Sequence, residues 1–216
     1  MKTMLITGGS SGIGAACANY FAHSYKIITV SRSGNPTIKG DLTDLEFTKS
    51  LIEKLSIDIL INNAGILSDS FEETFNVNTA AASFLAAGFY QKMNSGHIIN
   101  ICSTASHLRG WPDMPKERIW YLASKAALKD LGIVLQNSRN SNVKVTNLEP
   151  GWVNTNFGNG QKEIPSEEYE NQTQRQIPMQ PLDVARTIEW ILQQPQHIVI
   201  HTLQMDNFII NSSSDT

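Results

Sequence analysis

Residues 7–14 read Thr7-Gly8-Gly9-Ser10-Ser11-Gly12-Ile13-Gly14, and this stretch decides the fold. An apolar run of strand length, Met4–Thr7, precedes it, and the small residues Ala15-Ala16-Cys17-Ala18 begin a helix after it. Glycines at such a turn allow a tight bend, let a pyrophosphate approach the backbone and let the helix pack closely on a sheet. The free N–H groups at the start of the helix attract anions. The sequence therefore predicts a nucleotide-binding turn, with a purely structural turn as the weaker alternative.

Short apolar runs alternate with longer helical stretches along the rest of the chain. Runs that are almost continuously apolar, rather than alternating, are typical of strands buried on both faces of a sheet. We therefore predict a doubly wound, Rossmann-type α/β fold, in which helices cover both faces of a parallel sheet of about six to seven strands. The predicted strands are Met4–Thr7, Ile27–Val30, a very short one within 34–41, Ile57–Ile61, His97–Ile101, Val143–Leu148 and His197–Ile200. The predicted helices lie near 12–23, 44–55, 70–92, 120–139 and 181–193.

The chain is predicted to form a single domain. No repeat or shift in composition marks a boundary, so the domain is expected to span residues 1–210, with a loose tail over 211–216. Two stretches are predicted to be loops: 109–118, which contains two prolines, and 156–180, which is rich in Gln, Glu and Asn.

The composition is that of an ordinary globular protein, with 41% hydrophobic and 17% charged residues in a chain of 216. A net charge of -3 gives no reason to expect nucleic acid or an anionic membrane as a partner. The apolar start of the chain is too short for a signal peptide or a membrane span. Cys17 and Cys102 form neither a disulfide framework nor a metal-ligand spacing, so a cytoplasmic location and no metal are predicted. Most of the histidines are expected to be structural or surface residues, namely His97, His107, His197 and His201.

Several motifs in one order carry a resemblance to the short-chain dehydrogenase/reductase family. The family opens with Thr-Gly-x-x-x-Gly-x-Gly, as residues 7–14 do, and the chain resembles it from Thr3 to about Asp206. The later matches are Asn-Asn-Ala-Gly at 62–65, Asn78, Ser103 at a strand end, the Tyr-x-x-x-Lys pair Tyr121 and Lys125, and Pro-Gly at 150–151. The resemblance implies a compact, nicotinamide-dependent enzyme that interconverts a carbonyl and an alcohol on a small molecule.

The residues after the second predicted strand indicate which nicotinamide cofactor is bound. An acidic residue about 20 positions past the glycine turn holds the ribose 2′-hydroxyl of NAD, whereas a cation accommodates the 2′-phosphate of NADP. From Met1 to Gly40 the sequence has no carboxylate side chain, and Ser31 and Arg32 stand where the acid would be. Arg32 can grip a phosphate with a planar fork of donors. NADP(H) is therefore favoured over NAD(H), the alternative being that Arg32 is only a solvated arginine in a surface turn.

The remaining contacts to the cofactor are implied by the resemblance. Asp41 and Leu42 would flank the adenine, and Asn63-Ala64-Gly65 would lie on the adenosine ribose side. The residues near the nicotinamide would be Pro150, Gly151, Val153 and Thr155, with Tyr121 and Lys125 also in contact with the cofactor.

Tyr121 and Lys125 are four positions apart in a predicted helix, which places them on one face, one turn apart. Reduction of a carbonyl needs a proton on its oxygen, and a tyrosine with a pKa near ~10 is a poor proton shuttle at neutral pH. A nearby ammonium favours the phenolate, so we expect Lys125 to lower the pKa of Tyr121, the general acid and base. By the resemblance, Ser103 would bind the substrate oxygen, Lys125 the nicotinamide ribose, and Asn78 a water that leads to Lys125.

Two segments depart from the family pattern. The interval from Ser103 to Tyr121 carries extra residues around 111–115, which form either a loop over the active site or a surface excursion. The stretch 156–180 replaces the substrate-covering region of relatives and is predicted to be a mobile lid. A homodimer or homotetramer, paired through the last strand and the tyrosine-bearing helix, is expected by analogy. The alternative function is a dinucleotide-sensing or signalling protein with little turnover.

Overall fold

The computed structural model describes residues 1–107, 116–138, 142–157 and 177–207. Their strands are β1 Thr3–Thr7, β2 Lys26–Ser31, β3 Ile38–Lys39, β4 Ile59–Asn62, β5 Ser95–Ile101, β6 Asn142–Pro150 and β7 Thr202–Met205. They form one seven-stranded sheet in the order β3-β2-β1-β4-β5-β6-β7, and every neighbouring pair is parallel. The predicted parallel sheet is therefore confirmed, and so is a third strand of only two residues.

Helices connect the strands across both faces of the sheet. In the described residues they are α1 Gly12–Phe21, α2 Leu45–Lys54, α3 Phe71–Phe75, α4 Ala82–Lys92, α5 Lys116–Asn137 and α6 Pro181–Leu192. A π-helical turn, Asn76–Ala81, joins α3 to α4, and a 3-10 turn, Thr104–His107, follows β5. This alternation confirms the doubly wound α/β architecture in a single domain.

Each face of the sheet has its own apolar layer. On one face α1 and α6 pack against the strands, and Ile6, Phe21 and Ile188 are among the buried residues. On the other face α2, α4 and α5 pack against the strands, with Leu5 and Phe89 fully buried. Burial on both faces explains why the central strands are continuous apolar runs rather than alternating ones.

The last strand was predicted at the wrong place. The strand is Thr202–Met205, and His197–Ile200 lies in the turn that precedes it. The ammonium of Lys144 donates to the carbonyls of Pro195 at 2.8 Å and Ile198 at 2.6 Å, so this turn is held by a side chain rather than by a strand ladder. The parallel register begins only where Asn147 faces Thr202.

Two predicted helices differ from the observed ones, and two predicted segments fall partly outside the described residues. The helix expected near 70–92 is interrupted by the π-helical turn, and the helix expected from 120 begins at Lys116, so the predicted loop 109–118 ends too late. In the predicted lid, Met179 forms a bridge with Val153, and Gln180 precedes α6. The parts 109–115, 158–176 and 211–216 lie outside the described residues. In the part of the chain that is described, we find no helix with the length and apolarity to cross a membrane.

Candidate active site

The glycine turn between β1 and α1 has no room for side chains. Gly8 and Gly12 have φ values of +66° and +51°, in the left-handed region that favours glycine. A Cβ on Gly9 would lie 2.6 Å from the Thr29 methyl carbon, and one on Gly14 would collide with the carbonyl oxygen of Gly8. Glycine at these positions lets the turn pack closely on the protein, and residues 8–13 remain partly exposed, so their backbone is accessible to a ligand such as a pyrophosphate.

The start of α1 leaves its N–H groups available to an anion. Ser11 precedes the helix and makes no capping hydrogen bond with its side chain, and the first turn has no acidic residue. The side chain of Ile13 packs against the apolar layer beneath the turn. Ser10 lies close to Gly34, at whose position a Cβ would be 2.8 Å from that of Ser10. The start of α1 therefore presents backbone donors at the turn where the sequence predicts phosphate binding.

Thr7 and Asn63 fasten the glycine turn to the end of β4. The Thr7 hydroxyl oxygen accepts from the backbone N–H groups of Asn63 and Ala64, both at 2.9 Å. The Asn63 amide donates to the carbonyls of Thr7 at 2.9 Å and Gly8 at 3.3 Å. From the sequence, Thr7 was identified only as part of the glycine motif. Its role as an acceptor of two hydrogen bonds depends on the adjacent ends of β1 and β4, which the structure brings together.

The predicted cation for the 2′-phosphate already has a partner. Arg32 Nη1 lies 3.7 Å from Asp41 Oδ2, and both side chains are about half exposed. The Ser31 hydroxyl donates to the carbonyl of Ser33 at 2.7 Å, and Leu42 packs against the apolar layer. Arg32 also lines a pocket with Thr43, Asn76 and Val77, whose remaining walls include Ser70, Glu72 and Glu73. A phosphate at this site would meet both one guanidinium and several carboxylates.

The segment after β6 folds back over the glycine turn. Pro150 pairs with Met205 at the end of the β6–β7 ladder, and a Cβ on Gly151 would lie 2.6 Å from Asp206 Oδ1. Val153 follows, and the Thr155 methyl carbon lies 3.2 Å from the position of a Cβ on Gly12. The residues predicted to lie near the nicotinamide are therefore brought to the same edge of the sheet as the glycine turn.

Ser103, Tyr121 and Lys125 come together beside this edge. Ser103 follows the end of β5 and is buried, and its hydroxyl lies near enough to the phenol of Tyr121 on α5 to influence the pKa of that phenol. Lys125 lies one helical turn after Tyr121 on α5, with its ammonium 5.9 Å from the centre of the Tyr121 ring. The buried ammonium donates to the carbonyl of Ile101 at 2.8 Å.

Asn78 supports this group from the π-helical turn. Its amide oxygen accepts from the N–H of Ile66 at 2.8 Å, and its amide nitrogen donates to the Ile66 carbonyl at 2.9 Å and the Ser124 hydroxyl at 3.1 Å. Ser124 in turn donates to the carbonyl of Tyr121 at 2.7 Å. Sequence reasoning missed Ser124, which is fully buried and links Asn78 to the tyrosine-bearing helix. π-helical turns are frequent at functional sites because they redirect side chains within a helix.

The pKa of Tyr121 moves in the direction opposite to the one expected. Burial raises it to about 12, and the hydrogen bond with Ser103 acts in the lowering direction without overcoming burial. Burial also lowers the pKa of Lys125, since an ammonium loses its hydration there. The ammonium of Lys125 donates to the Ile101 carbonyl, and its charge does not offset the effect of burial on the pKa of Tyr121.

An open glycine turn with a serine, tyrosine and lysine at one edge of a parallel sheet defines a nucleotide-dependent oxidoreductase of the α/β class. Comparison with known proteins is more specific. The sequence profile described as short chain dehydrogenase matches residues 2–165, and the chain belongs to this family. It is an enzyme that acts on hydroxyl or carbonyl groups with a nicotinamide cofactor.

Three relatives illustrate the similarity. The NADP-dependent 3-hydroxy acid dehydrogenase YdfG of Escherichia coli K12 is 28% identical over 236 residues, which cover 94% of this chain and 93% of the relative. The closed form of serine dehydrogenase complexed with NADP+ has a TM-score of 0.76 and 25% identity, covering 94% of both chains. A 4-hydroxyisoleucine dehydrogenase complexed with NADH has a TM-score of 0.74 and 29% identity, covering 95% of this chain and 97% of that one.

Proposed function

We propose that this enzyme interconverts a small 3-hydroxy acid and its carbonyl form with NADP(H), and that Tyr121 transfers the proton. The observation that carries the proposal is that the Ser103 hydroxyl, the Tyr121 phenol and the Lys125 ammonium lie together, with Lys125 one helical turn from Tyr121. The substrate class rests on similarity to a relative named as a 3-hydroxy acid dehydrogenase and to a serine dehydrogenase structure.

The roles of the residues follow from their positions. When bound, the nicotinamide supplies or accepts the hydride at the reacting carbon. Tyr121 gives its proton to the carbonyl oxygen in reduction, and the phenolate accepts it in oxidation. The Ser103 hydroxyl donates to the same oxygen and stabilises the charge that develops on it. Lys125 binds the hydroxyls of the nicotinamide ribose when the cofactor is bound.

Asn78 has a supporting role in this proposal. A Cβ on Gly65 would lie 3.3 Å from Asn78 Oδ1 and 3.4 Å from Lys125 Nζ, so both side chains lie beside Gly65. The amide of Asn78 holds Ile66, and with it this backbone, beside the ammonium. Through Ser124 it also holds the helix that carries Tyr121.

The preference for NADP(H) over NAD(H) is part of the proposal. Arg32 is the cation at the end of β2, and relatives of known cofactor include both an NADP+ complex and an NADH complex. The guanidinium supports NADP(H), whereas its contact with Asp41 reduces the charge available to a phosphate. A cytoplasmic location remains a prediction from the sequence.

A homo-oligomer also belongs to the proposal. Helix α5 exposes Ile133 and Val134, with 63% of Val134 accessible, and Phe84 on α4 is also exposed. Strand β7 lies at the edge of the sheet, where a second copy can pack. Light scattering on the purified protein tests this, and a mass equal to one chain at micromolar concentration would refute it.

The experiment that tests the activity replaces Tyr121 by Phe. Reduced cofactor is followed by absorbance with a panel of 3-hydroxy acids, aldehydes, ketones and keto esters. We expect kcat/KM to fall by about a hundredfold or more, because removal of a general acid typically costs that much, while NADPH still binds. Tyr25→Phe is the matched control, since Tyr25 packs against Phe21 away from the site. Full activity of Tyr121→Phe would refute the assignment of the proton donor. NADPH binding with no turnover of any panel member by the unaltered enzyme would favour the sensing function instead.

A further inference from the structure

A carboxylate is buried at the end of β6, next to the candidate active site. The side chain of Glu149 is 1% exposed, and its Oε2 lies 2.5 Å from His107 Nε2. Its other oxygen, Oε1, has no hydrogen-bond partner in the described part of the chain. Neither residue was assigned a functional role from the sequence, because 42 positions separate them.

The burial of this carboxylate is costly for the fold. A carboxyl group removed from water loses several kcal/mol of solvation, and an oxygen without a partner recovers none of it. Replacement of both members of a buried ion pair by apolar residues of similar volume is often neutral or stabilising. The acidic residue therefore requires an explanation other than stability.

The histidine that Glu149 holds belongs to the turn that carries Ser103. His107 is the last residue of the 3-10 turn Thr104–His107, which directly follows Ser103. In this turn the N–H of Ala105 donates to Ser103 Oγ at 3.1 Å. The hydroxyl and the N–H of Ser106 donate to the Ser103 carbonyl, at 2.8 and 3.1 Å. The position of the turn therefore sets both the backbone and the hydroxyl of Ser103.

Strand β6 holds this region at two points. The N–H of Cys102 donates to the carbonyl of Leu148 at 2.8 Å, just before Ser103. The contact between His107 and Glu149 provides the second point, just after Ser103. A rigid turn matters here because a displacement of about 1 Å in a catalytic group can reduce a rate by about a hundredfold.

We propose that Glu149 is a positioning residue that acts through His107 to orient the Ser103 hydroxyl toward Tyr121. This inference rests on the proposed function, in which Ser103 donates to the reacting oxygen. Glu149 itself need not touch the substrate, and the essential feature is a hydrogen-bond acceptor at the end of β6 for the imidazole.

Four variants separate positioning from simple structural support. Glu149→Met removes the acceptor and keeps the volume, and His107→Phe removes the donor and keeps a ring. Glu149→Gln and His107→Gln each leave a side-chain amide that can hydrogen-bond to the unaltered partner, so they serve as the conservative controls. The kcat and KM are measured with the 3-hydroxy acid that gives the highest rate with unaltered enzyme, together with NADPH affinity by fluorescence and the Tm.

The expected result is a loss of rate without a loss of stability. Glu149→Met and His107→Phe should lower kcat at least about tenfold with unchanged NADPH affinity, while the Tm of the double variant Glu149→Met/His107→Phe equals or exceeds that of the unaltered enzyme. The Gln variants should retain most of the rate. The kcat of the double variant Glu149→Met/His107→Phe should be no lower than that of the slower single variant, because the two residues act through the same contact. If kcat of Glu149→Met and His107→Phe stays within about twofold of the unaltered enzyme, the inference is wrong.

A second measurement keeps the inference testable if the proposed substrate class fails. Hydrogen exchange at the amides of Ala105 and Ser106 reports directly on the turn that carries Ser103. Exchange should be faster in Glu149→Met than in the unaltered enzyme and close to normal in Glu149→Gln. Unchanged exchange in Glu149→Met would overturn the positioning role, whatever the enzyme reduces or oxidises.

Discussion

Arg32 and Asp41 face each other just after the neighbouring strands β2 and β3, with 3.7 Å between Arg32 Nη1 and Asp41 Oδ2. The carboxyl is engaged further by Thr43, whose N–H and hydroxyl donate to Asp41 Oδ1 at 2.9 and 2.8 Å. Asp41 is therefore fixed in place, whereas Arg32 is the freer partner. A 2′-phosphate must compete with this carboxylate for the guanidinium.

This relationship predicts opposite effects of two substitutions on cofactor preference. Arg32→Ala should weaken NADPH binding by about tenfold and leave NADH binding nearly unchanged, since only NADPH has the extra phosphate. Asp41→Asn should strengthen NADPH binding several-fold, because the competing charge is removed. Fluorescence titration of both cofactors measures the ratio. Lys54→Ala, which removes an exposed cation at the end of α2, serves as the control. A ratio unaffected by Arg32→Ala would refute the assignment of this arginine.

A side chain at Gly14 should abolish cofactor binding. A Cβ there would meet the carbonyl of Gly8, which is backbone and cannot rotate away. We expect Gly14→Ala to lose NADPH affinity by at least about tenfold, measured by fluorescence. Gly88→Ala is the matched control, since its Cβ would meet the flexible end of Ile52 on the far side of the sheet. The control should have a lower Tm but bind NADPH normally, and equal losses of NADPH affinity in both variants would contradict the prediction.

The Thr7 hydroxyl should contribute measurably to stability. Thr7→Val keeps the shape of the side chain but leaves the N–H groups of Asn63 and Ala64 without their acceptor. Two buried donors left unpaired cost about 2–6 kcal/mol together, and both of these N–H groups are only part-buried. We therefore expect the free energy of unfolding in urea to fall by the lower part of that range, about 2–4 kcal/mol. Thr7→Ser retains the oxygen and should lose much less. Equal stability of the Val and Ser variants would show that the two hydrogen bonds contribute little.

His97 should make the protein less stable in mild acid. Burial, together with the nearby charge of Lys144, lowers the pKa of His97 from 6.5 to about 4. The unfolded chain therefore binds a proton near pH 6.5 that the folded chain refuses until about pH 4. Stability is complete above the unfolded value and is lost as the pH falls through this window, by about 2 kcal/mol at pH ~5.

Urea unfolding at neutral pH and at pH ~5 tests this sign and size. His97→Gln, which can still meet the Thr146 hydroxyl, should lose less stability between the two pH values than the unaltered protein. His23→Gln alters an exposed histidine and should behave like the unaltered protein. An identical pH dependence of His97→Gln and the unaltered protein would count against the assignment.

The sequence predicts best what depends on short stretches of chain. Continuous apolar runs such as Ile59–Ile61 indicate strands buried on both faces, and the glycine spacing at 8–14 indicates a turn open to a ligand. Both patterns reflect local steric and burial requirements. They were sufficient for the parallel sheet and for the position of the first helix.

What the sequence could not predict depends on distant partners. The stretch His197–Ile200 has more β-branched apolar residues than Thr202–Met205, yet the strand forms at Thr202–Met205. The difference depends on Lys144 and Thr146, which donate to carbonyls of the segment before the strand. The pKa of Tyr121 depends on how deeply α5 is covered, which spacing does not reveal.

The order of the strands also has a consequence for synthesis of the chain on the ribosome. Strand β1 pairs with β2 on one side and with β4 on the other, so it emerges long before its second neighbour exists. During that interval the strand that carries Leu5 and Ile6 has unpaired backbone groups along one edge and exposed apolar side chains. Such a surface promotes association with other chains. Non-local parallel pairing is also slow to form. The yield of folded enzyme in a cell should therefore depend on protection of the half-made chain until Ile59–Ile61 have been released.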